Sequence, residues 1–159
     1  MRGDVFFSCL GSTRKKTPDK RHYYQIDHDY PLAMARIALA NGMQQFHLIS
    51  AIGADPGASN FYLKMKGETD RDIAALPFRS VHIYRPSFLA GDREERRSME
   101  KIGLAIFKLL GPLMVGVLRK YRSIDVKDVA GAMIRQSLED LEGVHYYPSD
   151  LIHKINRKD

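Results

Sequence analysis

Four short apolar runs, separated by segments with helical features, limit the fold of this chain more than any other feature. The runs cover residues 5–10, 46–50, 80–84 and 143–147. Helices are predicted over residues 30–40, 60–76 and 128–138. The first run is apolar without alternation, as in a strand that is buried on both faces of a parallel sheet. Strands that alternate with helices predict an α/β fold with a mostly parallel sheet.

Size and cysteine content predict a single domain in a reducing compartment. A chain of 159 residues fits one domain, taken here as residues 1–159. The single cysteine, Cys9, excludes an internal disulfide and favours a cytoplasmic location. Because Cys9 lies in the first apolar run, we expect a buried structural thiol.

The chain is basic, with a net charge of +6. Solvated surface charge is the ordinary explanation. A nucleic-acid-binding module is one functional alternative, but there is no recognised binding motif and no aromatic interleaving. Attraction of a phosphorylated cofactor or substrate is another.

No targeting signal, membrane span or metal site is predicted. Residues 1–4 lead directly into a strand-like run. The longest apolar stretch, residues 102–118, contains Lys108 and is shorter than the roughly 20 residues that a membrane span needs. We expect a core helix there, or a helix pair that covers a pocket. The six histidines form no close pair, which argues against a metal centre.

Tyr62 and Lys66 are the candidate chemical groups of the predicted helix 60–76. Four residues apart, they lie one turn apart on one face. A phenol has a pKa of about 10, and a nearby ammonium lowers it. Tyr62 could then exchange a proton with an alcohol or carbonyl oxygen. Ser50, at the end of the second apolar run, could hold the same oxygen.

Each of these residues also has an ordinary interpretation. A Tyr-x-x-x-Lys pair on a helix is common by chance, and a serine after a strand is often a cap or turn residue. Gly11 and Ser12 follow the first strand, where ligands bind in open α/β sheets, but they also suit a simple turn. Asp27 is equally well explained as a carboxylate that caps the start of a helix. The order and spacing of Ser50, Tyr62 and Lys66 together are more specific.

Five segments carry a resemblance to a known family. They are residues 4–13, 26–30, 50–68, 84–89 and 124–130. In this order the chain resembles an atypical short-chain dehydrogenase/reductase, similar to the Tat-interacting-protein-like oxidoreductases. The resemblance implies a Rossmann-like NAD(P)-binding fold. It further implies that Tyr62 is the general acid/base, that Lys66 lowers its pKa and binds the nicotinamide ribose, and that Ser50 orients the substrate.

The resemblance also implies which residues would contact the cofactor. The predicted contacts, with Lys66, are Leu10, Gly11, Ser12, Arg85, Pro86, Ser87 and Phe88. The turn after the third strand would face the nicotinamide carboxamide, and Asp27 would lie near the cofactor. NADP or NAD would carry the hydride, with NADP as the family-level expectation, and the substrate would be a small carbonyl compound or alcohol.

One family feature has no counterpart in these residues. No Gly-x-Gly-x-x-Gly pattern occurs, and the match starts at what would be the family's fourth strand. We therefore expect a partial doubly wound sheet that lacks the first strand-helix units. Such a sheet has an exposed edge that favours self-association. A non-enzymatic nucleotide-binding or regulatory member of the family is the alternative function.

Overall fold

The central feature of the fold is a four-stranded parallel sheet. The computed structural model describes residues 3–87, 89–90 and 123–157. The sheet has the order β1-β2-β3-β6, with strands β1 (Val5–Ser8), β2 (Gln45–Ile49), β3 (Ser80–Arg85) and β6 (Gly143–Pro148). Two further short strands, β4 (Leu89–Ala90) and β5 (Ile124–Asp125), pair in parallel with each other. The predicted α/β class is confirmed.

The helices alternate with the strands as predicted. They are α1 (Lys20–Tyr24), α2 (Tyr30–Ala40), α3 (Phe61–Ala74), α4 (Val126–Ser137) and α5 (Ser149–Asn156). A π-helical segment, Gln25–Asp29, joins α1 to α2. The helical stretch therefore starts at Lys20, ten residues before the predicted start at residue 30. Asp19 caps this earlier start, because its carboxylate accepts from the backbone N–H of His22.

Helices cover both faces of the sheet. On one face, Phe46, Leu48 and Ile83 pack with Ala35 of α2 and Ile73 of α3. On the other face, helices α4 and α5 cover Tyr84 and Tyr147, through Val129, Met133 and Ile152. Burial of these side chains supplies the main stabilisation of the layers.

A row of histidines crosses the sheet on the tyrosine face. His47, His82 and His145 are register partners on β2, β3 and β6. The rings of His47 and His82 stack with centroids 4.2 Å apart, and Nδ1 of each lies within hydrogen-bonding distance of a tyrosine hydroxyl. Those hydroxyls belong to Tyr84 and Tyr147, at 3.1 Å and 2.9 Å. The two rings are therefore buried core residues with hydrogen-bond partners.

Strand β1 lies at an edge of the sheet. Within the described residues it pairs only with β2, and Phe7 is 42% exposed. Cys9, just after this strand, is exposed, so the prediction of a buried thiol is wrong. An apolar run predicts a strand but cannot tell how many layers cover it.

The remaining predictions on the long apolar stretch concern residues 102–118, which lie outside the described residues. Among the helices that the structure describes, none is long and apolar enough to cross a bilayer.

Candidate functional site

All four strands of the main sheet end at the same edge, since all of them are parallel. The residues that follow them include Gly11, Ser12, Ser50, Pro86, Ser87 and Ser149. The loop after β2 is tied to β3, because Ser50 N–H donates to the Tyr84 carbonyl over 2.7 Å. The carboxyl edge of a parallel sheet is where open α/β proteins bind ligands.

Helix α3 presents the candidate chemical residues toward this edge. Asn60 caps the helix, because its side-chain oxygen accepts from Tyr62 N–H at 2.9 Å and from Leu63 N–H at 3.2 Å. Ser59 and Asn60 both suit a cap by residue type, and Asn60 takes that position. Tyr62, Lys66 and Asp70 follow at intervals of four and share one face of the helix.

Gly67 lets the loop after β2 press against this helix. A Cβ atom at Gly67 would lie 2.2 Å from the carbonyl carbon of Asp55 and 2.3 Å from the nitrogen of Pro56. No side chain fits there, because the neighbouring atoms belong to the backbone.

Lys66 is held by a buried ion pair with Asp27. Nζ of Lys66 lies 3.0 Å from Oδ1 of Asp27, and the two residues are only 5% and 1% exposed. The second oxygen of Asp27 accepts from the backbone N–H of Ser12 at 2.7 Å. A Cβ at Gly11 would approach Asp27 Oδ1 to 3.2 Å and Lys66 Nζ to 3.9 Å. The Gly11–Ser12 loop therefore lies directly over the pair.

A second buried carboxylate, Asp70, sits one turn after Lys66. Arg85 Nε donates to Asp70 Oδ2 over 2.9 Å, and the Arg85 guanidinium lies 4.5 Å from the ring centre of Tyr146. Burial raises the pKa of Asp70, while Ser50, Arg85 and Lys66 oppose that rise. Asp27, Lys66, Asp70 and Arg85 thus form a line of alternating charge across the carboxyl edge of the sheet.

Tyr62 faces carboxylates as well as the lysine one turn away. Tyr62 is 36% exposed. Burial raises the pKa of its phenol to about 12, and the negative charges of Asp27 and Asp70 add to the rise. In the structure this pKa is therefore raised, where the sequence predicted that Lys66 would lower it. Burial is the main cause, and the ammonium of Lys66 is paired with Asp27.

Ser50 does not offer its hydroxyl to the outside. The residue is 4% exposed, and its Oγ is buried without a hydrogen-bond partner. The hydroxyl lies close enough to Asp70 to lower that carboxyl's pKa, yet the pair falls outside hydrogen-bond geometry. The expected contact between Ser50 and a substrate oxygen is therefore not available in this arrangement.

The other predicted cofactor contacts divide between the two ends of the site. Leu10 is exposed beside the Gly11–Ser12 loop, whereas Pro86 is buried after β3. Ser87 N–H donates to Ser149 Oγ over 2.8 Å, which fixes the turn against the last helix. Phe88 lies outside the described residues.

Two functional groups gain a role that sequence reasoning did not assign. Asp70 is absent from the predicted site residues, although its position four residues after Lys66 indicates that it shares the same face. Asp27, which the sequence predicts as a helix cap or a neighbour of the cofactor, is the direct partner of Lys66. In the part of the chain that the structure describes, no group of three or more His, Cys, Asp or Glu side chains could hold a metal ion.

Several curated proteins are similar to this chain in sequence. The mitochondrial protein FMP52 of Coccidioides immitis is 35% identical over 140 residues, which are 88% of this chain and 57% of the relative. The FMP52 protein of Eremothecium gossypii is 40% identical, over 70% of this chain and 49% of the relative. HTATIP2 of Rattus norvegicus is 38% identical, over 65% and 43%. The chain spans roughly half the length of these relatives. No protein-family profile matches the chain.

Solved structures with the same fold bind dinucleotides or nucleotide sugars. RMD from Pseudomonas aeruginosa, solved with NADPH, has a TM-score of 0.65 at 19% identity and matches 92% of this chain and 60% of its own. UDP-glucose 4-epimerase from Thermotoga maritima, solved with UDP-glucose, has a TM-score of 0.60 at 13% identity, with 91% and 55% covered. At these identities the likeness establishes a Rossmann-like fold.

These comparisons correct the predicted compartment. The fungal relatives are named as mitochondrial proteins, so the cytoplasmic prediction is wrong. A single unpaired cysteine disfavours an oxidising compartment, but it does not distinguish one reducing compartment from another.

Proposed function

Since this chain is a homologue of FMP52 and HTATIP2 with a Rossmann-like fold, we propose that it is an NAD(P)H-dependent oxidoreductase-like protein of the atypical short-chain dehydrogenase type. Its substrate would be a small carbonyl compound or alcohol. The relatives' names favour a mitochondrial location. Fractionation of cells of the organism of origin that express the tagged protein tests this location. Recovery of the protein exclusively outside mitochondria would reject it.

One observation carries the proposed activity. A buried lysine, Lys66, lies under the exposed Gly11 backbone and one helical turn from Tyr62, at the carboxyl edge of a parallel sheet. A buried cation next to a phenol is a way to tune proton transfer at neutral pH. A chance Tyr-x-x-x-Lys pair on a solvent-facing helix would have no such surroundings.

The residues present fit the nicotinamide end of a dinucleotide. Gly11 leaves no side chain between the loop and the Asp27–Lys66 pair, so a ligand at this loop could approach Lys66 closely. The fit is limited to that end, because these 159 residues contain no Gly-x-Gly-x-x-Gly pattern for the pyrophosphate.

In the proposed reaction the protein residues handle the proton. The nicotinamide cofactor, when bound, supplies or accepts the hydride. The Tyr62 hydroxyl donates its proton to the carbonyl oxygen as that oxygen gains charge, and it takes the proton back in the reverse direction. Lys66 stabilises the phenolate so formed, provided that its ammonium faces the phenol. The Ser50 hydroxyl is buried near Asp70 and favours the ionised form of that carboxyl.

A non-enzymatic nucleotide-binding or regulatory role is the second candidate. The observation that favours it is the raised pKa of Tyr62, about 12, which makes the phenol a poor base at neutral pH. In that case the protein would bind a dinucleotide or nucleotide without turnover.

Calorimetry and turnover assays together test these proposals. The protein is titrated with NADPH and with NADH, and then assayed with a panel of aldehydes, ketones and quinones. Binding that Lys66→Met weakens about tenfold or more, with turnover that Tyr62→Phe abolishes, supports the oxidoreductase. Binding without turnover on any panel member supports the second candidate. No heat with either cofactor rejects both proposals.

A further inference from the structure

Asp27 joins three separate parts of the chain through one carboxyl group and its own backbone. Its two side-chain oxygens accept from Ser12 N–H and contact Lys66 Nζ, and its carbonyl lies 3.2 Å from the Thr69 hydroxyl. It sits in the π-helical segment Gln25–Asp29. Single π-turns are rare and occur frequently at functional sites. The loop after β1, the π segment and α3 therefore meet at this residue.

The same carboxylate controls the electrostatic surroundings of Tyr62. Two carboxylates face the phenol, Asp27 from the π segment and Asp70 from α3 itself, and the Tyr23 ring lies 6.4 Å away between centroids. Both carboxylates oppose loss of the phenolic proton, after the larger effect of burial. The cation that would favour the phenolate, Lys66, has its charge balanced by Asp27 at 3.0 Å.

We propose that Asp27 is a positioning residue, whose carboxylate keeps the Lys66 ammonium paired away from the Tyr62 hydroxyl until a ligand at the Gly11–Ser12 loop takes over that ammonium. The ligand chemistry that suits this exchange is a hydroxyl-bearing group such as a ribose, because hydroxyl oxygens accept from an ammonium without adding charge. Only the identity of this ligand rests on the proposed function. The pairing and its effect on the phenol are properties of the chain alone.

Tyrosine titration tests the pairing without any ligand. The chain has eight tyrosines and no tryptophan, so near-ultraviolet absorbance reports tyrosinate alone. Subtracting the curve of the Tyr62→Phe variant from that of its parent isolates Tyr62. In an Asp27→Asn background we expect the Tyr62 midpoint to fall by about one pH unit or more from about 12.

Asp29→Asn is the matched control. Asp29 belongs to the same π segment, but its carboxylate contacts His28 at 2.8 Å instead of Lys66. The control removes the same charge and should leave the Tyr62 midpoint where it is. An unchanged midpoint in Asp27→Asn, or an equal fall in Asp29→Asn, would overturn the inference.

A second comparison guards against a variant that fails to fold because Lys66 is left buried without a partner. In the double variant Asp27→Asn/Lys66→Met neither buried charge remains, and we expect its Tyr62 midpoint to differ from that of Lys66→Met by clearly less than Asp27→Asn shifts the midpoint when Lys66 is present. A shift of the same size in both backgrounds would show that Asp27 acts on the phenol directly and would contradict the inference. A midpoint shift without NADPH binding supports the pairing and counts against the proposed function. NADPH binding without the shift overturns the pairing.

Discussion

Arg85 Nε donates to Asp70 Oδ2 over 2.9 Å, which joins the last residue of β3 to helix α3. The Asp70 side chain is 1% exposed, whereas that of Arg85 is 30% exposed. The other Asp70 oxygen, Oδ1, is buried without a hydrogen-bond partner and faces the Ser50 side of the site. The carboxylate therefore depends mainly on Arg85 for its charge balance.

Removal of Arg85 should destabilise the protein in a pH-dependent way. Arg85→Ala leaves a buried carboxylate without its cation, at a cost of about 2–3 kcal/mol in the free energy of unfolding at neutral pH. The pKa of Asp70 is already raised and rises further without Arg85. When the folded pKa of a carboxyl lies above its unfolded pKa, the protein loses stability as the pH rises from the unfolded to the folded value. The destabilisation caused by Arg85→Ala should therefore shrink toward pH 5. Urea denaturation at both pH values measures it.

Arg79→Ala is the control for this change. Arg79 pairs with Asp140 and Glu142 on the surface, where exposed ion pairs contribute less than about 1 kcal/mol. The double variant Asp70→Asn/Arg85→Ala should recover much of the lost stability, because it leaves no buried charge. Equal losses in the two arginine variants would show that the Asp70 contact has no special weight.

Gly67→Ala should disrupt the loop that covers α3. The new Cβ would meet backbone atoms of Asp55 and Pro56 at distances that no real contact reaches, so the loop must move. We expect a loss of about 3 kcal/mol or more in the free energy of unfolding.

Gly131→Ala is a matched helical glycine change. Its Cβ would meet the side-chain oxygen of Asn156, whose amide nitrogen donates to the Asp128 carbonyl, so that side chain must shift slightly, while alanine favours a helix over glycine by about 1 kcal/mol. We expect a net change within about 1 kcal/mol. Similar losses in the Gly67 and Gly131 variants would contradict the packing argument.

The buried histidines should make the fold acid-sensitive. Burial lowers the pKa of His47 to about 3 and that of His82 to about 4, from an ordinary 6.5. As the pH falls, the two histidines become protonated in the unfolded chain at a higher pH than in the folded protein. The free energy of unfolding is therefore unaffected above about pH 6.5 and falls as the pH drops toward the pKa values of the folded state. Each histidine should cost about 2 kcal/mol at pH 5.

His82→Gln should reduce the slope of unfolding free energy against pH by about one proton between pH 4 and 6. His22→Gln, at an exposed position of α1, should leave the slope unchanged. Chemical denaturation across this range measures both. An unchanged slope in His82→Gln would show that this ring is protonated in the native state.

Two buried serines at the sheet edge should respond differently to alanine. Ser149 Oγ accepts from Ser87 N–H at 2.8 Å and donates to Ser87 Oγ at 3.1 Å, so Ser149→Ala should cost about 1–2 kcal/mol. Ser50 Oγ has no such partner, and Ser50→Ala should cost less than about 1 kcal/mol at neutral pH. A larger loss at Ser50 than at Ser149 in thermal or urea unfolding would contradict this ranking.

The sequence predicted the helices and strands better than it predicted the charge pairs of the candidate site. Helix α3 and the residue type of its Asn60 cap follow from local sequence, since both depend on residues within a turn or two, whereas the need for glycine at Gly67 comes from the packed backbone of Asp55 and Pro56. The charge partners did not follow, because Asp27 and Lys66 are 39 positions apart and Asp70 and Arg85 are 15 apart. Sequence spacing shows which residues share a helix face, but it does not show which distant carboxylate reaches them.

Local sequence patterns were enough to predict the order of strands and helices, the parallel α/β class, and the helix face that carries Tyr62 and Lys66. These depend on local periodicity, which survives without knowledge of the packing. The packed fold was needed to show that Lys66 pairs with Asp27, that the pKa of Tyr62 is raised, and that Ser50 is buried near Asp70. Desolvation and long-range charge pairing produce these properties, and both exist only once distant segments are packed together.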